Sequence, residues 1–330
     1  MWTSIPTLSV VIPTYQRPEW FRRAILSLAA QRPAPHEIIA VVRDTDLPTH
    51  LAVAALQAEV VAFPIRKAVV AEPGFIPPVR LGLASAHYDI VAVMDDDAEA
   101  TEGWTSGLLR HYRDPHVGGV GGRYINMAGD RVADVPETSR VGYVSPLGRF
   151  VGNMYKRPTF SEPVDVDFLM GGCMSFRRTV AQEIEFDLGL NNNVAFGYEV
   201  DVGLQVRARG WRLVFDPAVA IRHYSAPREL TGMRVLDDGD SVRWCSYNET
   251  RIALRRLRPH TSAVALLWSV IVGTRRAPGL LPWLLSPLGK LAGYHLSLAQ
   301  PAIAGRIAGM RSVWRDARSG NATGRAAPID

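Results

Sequence analysis

Three consecutive aspartates, Asp95, Asp96 and Asp97, directly follow the apolar run 91–94. Carboxylates this close raise one another's pKa and repel each other unless a cation or a hydrogen-bond donor lies among them. Because successive side chains of an extended chain alternate, Asp95 and Asp97 are expected on one side and Asp96 on the other. Carboxylate oxygens bind Mg²⁺ or Mn²⁺, which take further ligands from phosphates and water. The triplet therefore predicts a metal-bound diphosphate site, and a solvated acidic turn before the next helix is the alternative.

Alternating strands and helices must hold this triplet. Short apolar runs predict strands, and helical spacing of apolar residues, or an initial Pro, predicts helices. The predicted strands are 8–15, 36–44, 60–66 and 89–95, and the predicted helices are 18–31, 49–58 and 77–87. This alternation predicts an α/β fold with a mostly parallel central sheet flanked by helices. Ligands bind at the carboxyl ends of such strands, where both Asp44 and the aspartate triplet fall.

Length and composition exclude several classes of protein. With 330 residues, 47% of them hydrophobic, the chain can bury one large core and carry an appendage. Cys173 and Cys245 are too far apart in sequence for a zinc pattern and give no disulfide framework, which favours reduced thiols in a cytoplasmic protein. The N-terminal residues lack the basic leader of a secretory signal. The glycines within 118–122 lack the strand-to-helix context of a phosphate-binding loop.

Positive charge is concentrated at the C-terminal end. Residues 251–330 contain twelve Arg or Lys and two acids, a charge of +10, which leaves −5 on residues 1–250 out of the overall +5. Two uncharged apolar runs, 261–274 and 277–289, are shorter than the roughly 20 residues of a membrane span. Their tryptophans and basic flanks favour helices lying on an anionic membrane surface, and their apolar character argues against nucleic acid. A helical subdomain packed on the core, or a homodimer interface, is the alternative.

Five segments of the chain resemble those of family 2 glycosyltransferases, in the family's order and with similar spacing. They are LSVVIPTYQRPEWFRRAILSLAAQ, EIIAVVRD, DIVAVMDDDAEATEGW, FLMGGCMSFRR and FGYEVDVGLQVRARGWRLVFDPAVAIRH, and they extend over roughly residues 7–225. The resemblance implies the GT-A nucleotide-diphospho-sugar transferase fold with a C-terminal helical extension added in this chain. It also implies an inverting transfer from a UDP-, GDP- or dTDP-sugar to a hydroxyl acceptor. A divalent metal, Mn²⁺ or Mg²⁺, would bridge the diphosphate.

The resemblance also implies which residues hold the nucleotide. Pro13, Thr14 and Tyr15 lie where the family's first loop contacts the nucleoside. Asp44 lies where an acidic residue after the second strand contacts the base or ribose. A turn residue is the alternative for Asp44, because the segment RDTDLP is rich in turn formers.

The metal and its surroundings are implied by the same comparison. Asp97 falls on the direct metal ligand of the family's Asp-x-Asp element, and Asp95 or Asp96 on the residue that holds the ribose or a metal-bound water; Asp95 is also a candidate ligand. His223 lies where the family often has a histidine near the metal or diphosphate, and a structural histidine is the alternative.

Five further residues are candidates for the surroundings of the predicted diphosphate and sugar. Arg17 and Arg80 are candidate diphosphate contacts, because guanidinium groups pair bidentately with phosphate oxygens. Gly171 and Gly172 lie where the backbone must approach the donor sugar or acceptor closely, with a strand bulge as the alternative. Trp104 either lines the sugar pocket or is buried beneath the following helix.

Displacement at the anomeric carbon also requires a base that removes the acceptor proton. The family supplies it from a Glu-Asp pair at the start of a helix, which in this chain has become Tyr198-Glu199. Glu199 is therefore the predicted base, and Asp201, which matches the later acid of the family's longer Glu-Asp-x-Asp form, is the second candidate. The structural alternative is that acids in a first helical turn complement the helix dipole, a contribution of about 0.3–1 kcal/mol.

The predicted organisation has a catalytic domain at 1–230, divided into a nucleotide-binding half at 1–115 and an acceptor half at 116–230. A basic, apolar helical extension follows at 231–316 and a disordered tail at 317–330. If the part of the extension from 261 onward binds a membrane, the protein is cytoplasmic and peripheral at the inner face of the cell membrane. The acceptor is then a glycan or a lipid-linked glycan, as in the synthesis of cell-surface glycans or glycolipids.

Two other functions share parts of this pattern. A sugar-1-phosphate nucleotidyltransferase also combines a parallel sheet with an acidic metal site, but it predicts a glycine-rich basic loop after the first strand, which IPTYQRPEW lacks. A non-catalytic, membrane-associated scaffold with the same fold is the second alternative, because Tyr198 replaces the expected Glu.

Overall fold

Residues 6–192, 196–226, 238–285 and 293–319, the part of the chain that this computed structural model describes, form a large mixed sheet with helices on both faces. The strands are β1 Leu8–Thr14, β2 Glu37–Arg43, β3 Ile65–Val70, β4 Ile90–Met94, β5 Ala98–Ala100, β6 Val117–Ala128, β7 Arg131–Val132, β8 Glu137–Thr138, β9 Tyr143–Val144, β10 Phe150–Val151, β11 Arg157–Pro158, β12 Val164–Val166, β13 Cys173–Arg177 and β14 Arg212–His223. The helices are α1 Pro18–Ala29, α2 Leu47–Glu59, α3 Ile76–Ala84, α4 Trp104–Arg110, α5 Arg178–Gln182, α6 Tyr198–Ala208, α7 Asp238–Arg256, α8 Pro259–Ile271, α9 Leu280–Leu285 and α10 Ala299–Arg318.

The central sheet has a parallel half and a mixed half. Its strand order is β12-β14-β6-β13-β4-β1-β2-β3, with β5 paired to β14 and β7 to β6. Strands β4, β1, β2 and β3 are parallel neighbours, whereas β13 runs antiparallel to both β4 and β6. The predicted sheet flanked by helices is confirmed, and it carries an antiparallel strand at its centre that the alternation of elements did not predict.

One predicted strand lies in the wrong place. The strand expected at 60–66 begins at Ile65 and ends at Val70, because residues 60–64 connect α2 to the sheet and leave Val61 95% exposed. Strand β3 is the edge of the parallel half, so only part of its length is covered and Val69 remains 50% exposed. The short apolar run therefore predicts that a strand exists here, but not where it begins and ends.

Alternating side chains of the strands divide the core between the two faces of the sheet. Leu8, Val10 and Ile12 of β1 pack with α1, α2 and α4. Val11 faces the opposite cluster, which includes α3, α5, α6 and one residue of α7. Trp104, at the start of α4, is fully buried in the first cluster. It is therefore a core residue and does not line a sugar pocket.

The C-terminal extension packs on this core through α7 and α10. Ile252 of α7 is fully buried among residues of α6 and the sheet. Helix α10 packs closely along α7. Gly305 permits this approach, since a Cβ at its position would collide with the backbone oxygen of Arg243. This arrangement corresponds to the packed helical subdomain for these two helices. Helix α10 extends to Arg318, and residues 320–330 of the predicted disordered tail lie outside the described residues.

Among the residues that the structure describes, no helix is both long and apolar enough to cross a bilayer.

Candidate active site

The carboxyl ends of β1, β2, β4 and β14 surround a cavity of about 750 Å³. This volume is typical of a site that encloses a small molecule. The walls include most of the residues predicted for the nucleotide and the metal, namely Pro13, Thr14, Tyr15, Arg17, Asp95, Asp96, Asp97 and His223. Strand order explains the grouping, because residues far apart in sequence leave neighbouring strands at the same edge.

His223 reaches the aspartates because β5, which starts immediately after Asp97, pairs antiparallel with the end of β14. The backbone N–H of Tyr224 donates to the carbonyl oxygen of Asp97 at 3.0 Å, and that of Ala226 donates to Asp97 Oδ2 at 2.9 Å. His223 Nε2 then lies 3.3 Å from Asp97 Oδ1 and 3.9 Å from Asp95 Oδ2. Backbone pairing therefore fixes the histidine against the two carboxylates.

Asp95, Asp97 and His223 could together hold a divalent cation. Each offers one ligand atom, and the three atoms lie within 4.8 Å of one another. Two carboxylate oxygens and one imidazole nitrogen are a donor set that Mn²⁺ accepts. The imidazole must bind through an unprotonated nitrogen, and Ser225 Oγ, 3.3 Å from its other ring nitrogen, can orient the ring. The donor set and its spacing fit the predicted metal.

Arg17 neutralises part of the aspartate cluster. Its Nη2 lies 2.8 Å from Asp96 Oδ1 and its Nη1 lies 2.9 Å from Asp97 Oδ2. Burial raises the pKa of Asp96 to about 7, against the opposing effect of the Arg17 charge. Burial also disfavours the charge on Asp97, but the hydrogen bond from His223 and the charges of His223 and Arg17 hold the pKa of Asp97 below its usual value. At neutral pH Asp97 is therefore the more fully ionised of the two acids, which suits it to bind a cation.

Asp95 is held by Tyr124 and lies against Gly172. The Tyr124 hydroxyl donates to Asp95 Oδ2 at 2.7 Å, a contact that no sequence pattern indicated. The antiparallel register of β13 and β4 brings Gly172 beside Asp95, and a Cβ there would collide with the Asp95 carboxylate and the Tyr124 hydroxyl. A Cβ on Gly171 would meet the hydroxyl of Tyr198. In the structure, side chains of the site (Asp95, Tyr124 and Tyr198) therefore lie close to the backbone of both glycines. The predicted close approach was to the donor sugar or acceptor.

Glu199 lies in the first turn of α6, next to Tyr198, which lines the cavity. The helix begins after Gly197, whose φ of +103° suits glycine. Glu199 is half-buried, and its Oε2 accepts a hydrogen bond from the backbone N–H of Gly197 at 3.1 Å. Burial raises the pKa of Glu199 to about 7, and the negative charge of Asp95 adds to the increase while backbone hydrogen bonds oppose it. A carboxylate with this pKa suits general-base catalysis near neutral pH.

Asp201, the second predicted base, is instead a structural residue. Its side chain is 1% exposed, and Arg256 of α7 contacts its two oxygens at 2.6 and 3.0 Å. Gln205 Nε2 donates to the same carboxylate at 2.9 Å. Both oxygens are therefore occupied and closed to an acceptor hydroxyl. The structure therefore favours a structural role for Asp201 over the predicted catalytic one, because the helix directs this acid into the core two residues after Glu199.

Two predicted nucleotide contacts do not line the cavity. Asp44 follows β2 in an exposed turn, with Arg43 Nε 3.6 Å from its Oδ1. Arg80 lies on α3, where its exposed guanidinium is 3.0 Å from Glu72 Oε2. Arg43 lines the cavity instead, and its guanidinium lies 5.8 Å from the centre of the Tyr15 ring. Arg43, the last residue of β2, therefore faces the cavity, whereas the next residue, Asp44, faces solvent. The family resemblance implied a nucleotide contact at Asp44, one residue after the one that lines the cavity.

Two asparagines tie the residues on either side of 193–195 to the rest of the site. Asn191 Oδ1 accepts a hydrogen bond from the backbone N–H of Phe75, which lines the cavity, at 3.1 Å. Asn248 of α7 is fully buried; its Nδ2 donates to the carbonyl of Phe196 and its Oδ1 accepts from Asn192 Nδ2, both at 2.6 Å. Helix α7 thus fixes the chain immediately before α6. Sequence analysis missed Asn248, which lies in a segment without a recognisable motif.

Solved structures with the same fold are glycosyltransferases. The mannosyltransferase PcManGT from Pyrobaculum calidifontis, in complex with GDP-Man and Mn²⁺, aligns over 94% of this chain and 88% of its own, with a TM-score of 0.57 and 16% identity. GalNAc-T7, solved with UDP, GalNAc and Mn²⁺, aligns over 96% of this chain and 58% of its own, with a TM-score of 0.62 and 14% identity. S. aureus TarS 1-349, in complex with UDP-GlcNAc, aligns over 95% and 92%, with a TM-score of 0.52 and 14% identity. At such identities the likeness establishes the fold, which is GT-A.

Sequence comparison gives the family. A search of curated proteins finds no match. The sequence model of glycosyl transferase family 2 matches residues 9–185, more than half of the chain. The matched region contains all of β1 except Leu8, together with the aspartate triplet and β13. The predicted resemblance is confirmed: the chain belongs to glycosyl transferase family 2.

Proposed function

We propose that the protein is an inverting, metal-dependent glycosyltransferase that moves a sugar from a nucleotide diphosphate-sugar to a hydroxyl acceptor. The observation that carries this proposal is the convergence of Asp95, Asp97 and His223 within 4.8 Å at the wall of the large cavity. The bound GDP-Man and UDP-GlcNAc in PcManGT and TarS support a nucleotide-sugar donor here.

The donor lies across the cavity from Tyr15 to His223. The Tyr15 ring and the Arg43 guanidinium, 5.8 Å apart, form the end that receives the nucleobase. The diphosphate lies toward Arg17 and the aspartates, where Asp95, Asp97 and His223 would hold a Mn²⁺ or Mg²⁺ ion that would neutralise charge on the leaving nucleotide. Without a cation, the carboxylates of Asp95 and Asp97 would lie next to the diphosphate and disfavour its binding.

Glu199 acts as the general base. Its carboxylate takes the proton of the acceptor hydroxyl as the acceptor oxygen bonds to the anomeric carbon, and the bond from that carbon to the diphosphate oxygen breaks. The proton resides on Glu199 and the electron pair leaves with the nucleoside diphosphate. A pKa of about 7 leaves a useful fraction of Glu199 ionised at neutral pH. Asp201 takes no part, because its oxygens bind Arg256 and Gln205.

Release of nucleoside diphosphate tests the proposal. The protein is incubated with Mn²⁺ and a panel of UDP-, GDP- and dTDP-sugars, and Asp97→Ala is compared with Asp44→Ala. The two variants remove the same group, but only Asp97 lines the cavity. We expect Asp97→Ala to abolish release and Asp44→Ala to retain it. If wild-type protein neither releases diphosphate nor binds nucleotide with any metal, the transferase proposal fails and a scaffold is favoured.

A parallel assay of pyrophosphate release distinguishes the nucleotidyltransferase alternative from the glycosyltransferase. That reaction would join a sugar-1-phosphate to a nucleoside triphosphate and release pyrophosphate. Incubation with these substrates and Mn²⁺ should therefore give no pyrophosphate. Formation of pyrophosphate that depends on Asp97 would replace the transferase by the nucleotidyltransferase.

We further propose that the enzyme is cytoplasmic and peripheral at the inner face of the cell membrane. It would act there on a glycan or lipid-linked acceptor in cell-surface glycan or glycolipid synthesis. Helices α8 and α9 support this location, because they expose aliphatic and aromatic side chains, with Leu267 61%, Trp283 51% and Leu284 61% exposed. A homodimer through the same surface is the competing explanation. Light scattering without lipid distinguishes the two, since a stable dimer would cover these side chains.

A further inference from the structure

A second cavity lies between α7 and α10, within the C-terminal extension. Its volume is about 580 Å³. Its walls are formed by Arg243, Trp244 and Tyr247 from α7 and by Arg311, Trp314 and Arg315 from α10. Gly305 and Ala308 of α10 also line it, and the absence of a side chain at Gly305 lets α10 approach the α7 backbone closely. We call this cavity the arginine–tryptophan groove.

The three arginines of the groove lack acidic partners among the residues that the structure describes. Nearby Arg251, by contrast, contacts Asp187 at 2.7 Å and Asp316 at 2.6 Å, so the local acids are already paired. Arg243, Arg311 and Arg315 are exposed, and acidic residues are absent from the walls. Three guanidinium groups without counter-charges attract an anion, and their planar donors match the oxygens of a phosphate group.

Apolar residues beside these arginines indicate which class of molecule carries the phosphate group. Ile307, Arg311, Trp314 and Arg318 follow one another at helical spacing on one face of α10, and Ile307 and Trp314 are 39% and 56% exposed. Helix α10 packs against α9, whose exposed leucines and tryptophan extend the apolar surface. A soluble anionic glycan would need the arginines but not the exposed aliphatic side chains. Basic residues interleaved with Trp and aliphatic residues match the interface of an anionic bilayer.

We propose that the arginine–tryptophan groove binds the phosphate headgroup of an anionic phospholipid and thereby docks the surface of α8, α9 and α10 on the membrane. The inference rests on the peripheral location proposed above and is independent of the catalytic assignments. It names the lipid class and the residues that bind it. Neutral lipid would supply the apolar contacts but no net negative charge for the arginines.

Vesicle co-sedimentation of the full chain tests the inference. Vesicles of phosphatidylcholine alone, which carry no net charge, are compared with vesicles that contain roughly 30 mol% phosphatidylglycerol, which carry a negative surface charge. The triple variant Arg243→Ala, Arg311→Ala and Arg315→Ala is compared with a control that removes the same charge at exposed positions elsewhere, Lys67→Ala, Arg113→Ala and Arg131→Ala. Thermal unfolding and nucleoside diphosphate release are measured for each protein.

We expect wild-type protein and the control to bind the anionic vesicles, and the groove variant to lose roughly 100-fold in affinity. Each basic residue near an anionic surface contributes about fivefold, which gives this factor for three. Diphosphate release and the unfolding temperature should be unchanged in both variants. Equal loss in the groove variant and the control, or no binding by wild type, would overturn the inference. Binding of wild type to dextran sulfate but not to vesicles would replace the lipid by a soluble polyanion, and a failure of catalysis alone would leave the lipid site intact.

Discussion

Replacing Asp201 by Asn separates a structural acid from a catalytic one. Asp201 and Arg256 are 1% and 4% exposed, and the guanidinium contacts both carboxylate oxygens at 2.6 and 3.0 Å. Asn keeps nearly the same shape, so the change removes the charge and little volume. Arg256 would then remain buried without the charge of Asp201.

The size of the effect follows from this burial. Removing one partner of a buried ion pair costs about 3–5 kcal/mol, because the remaining charge is left uncompensated in the interior. That cost is a large part of a total stability of roughly 5–15 kcal/mol. Each kcal/mol lowers the unfolding temperature of a domain of this size by about 2–4 °C, so we expect Asp201→Asn to unfold roughly 6–20 °C below wild type.

Thermal unfolding and nucleoside diphosphate release are measured together, the latter well below the unfolding temperature. The variant should keep turnover within a few-fold of wild type. Asp165→Asn is the matched control, because Asp165 pairs with Arg212 at 2.8 Å while both side chains are nearly half exposed, and such pairs contribute about 0–1 kcal/mol. An Asp201→Asn protein that unfolds like wild type but has lost all turnover would refute the structural assignment and return Asp201 to the role of base.

Further predictions concern the base, the metal site and the helix that positions the base. Glu199→Gln should slow release roughly 10²–10⁴-fold with an unchanged unfolding temperature; a smaller loss would exclude Glu199 as the base. Because burial raises the pKa of Glu199 to about 7 and only the carboxylate accepts a proton, wild-type turnover should rise about tenfold from pH 6 to pH 8. A flat profile would contradict this role. Chelation of divalent metal should abolish nucleotide-sugar binding in calorimetry, and Gly172→Ala should weaken Mn²⁺ binding because its methyl group needs the space of the Asp95 carboxylate; unchanged affinity in either case would contradict the assigned site. Asn248→Ala should lower kcat and leave the donor KM unchanged, whereas a change in KM alone would remove its positioning role.

Strands β1, β2 and β4 were predictable because each is a nearly continuous apolar run between turn formers. The central antiparallel strand β13 was not, since the run that forms it has no feature that selects β4 and β6 as partners. Strand β14 is similar: its register shift between Asp216 and Ala220 and its pairing with β5 depend on tertiary packing. That pairing brings His223 to Asp97, so the most informative contact of the site depends on the least predictable element.

The site residues divide in the same way. Acids at strand ends are visible in a sequence because carboxylates there need a cation or a donor, and the aspartate triplet was found for that reason. Arg43 and Tyr124 are ordinary residues within strands, and only their direction brings Arg43 into the cavity wall and the Tyr124 hydroxyl to Asp95. Direction also explains why Arg80 and Asp201 do not line the cavity, since a helix turns neighbouring side chains through about 100° per residue and a motif comparison does not follow that rotation.

Charge asymmetry along the sequence suggested an acidic catalytic body and a separate basic tail, and the contacts of α7 change that division. Arg251 and Arg256 neutralise the buried acids Asp187 and Asp201, so part of the tail's positive charge belongs to the catalytic core. The charge that can attract a membrane is therefore smaller than the sequence count, and the unpaired arginines of the groove must supply much of it. A truncation of the extension would remove Arg256 and Asn248 along with that surface, and would abolish catalysis and membrane binding together. Only point substitutions on the exposed faces can separate the two.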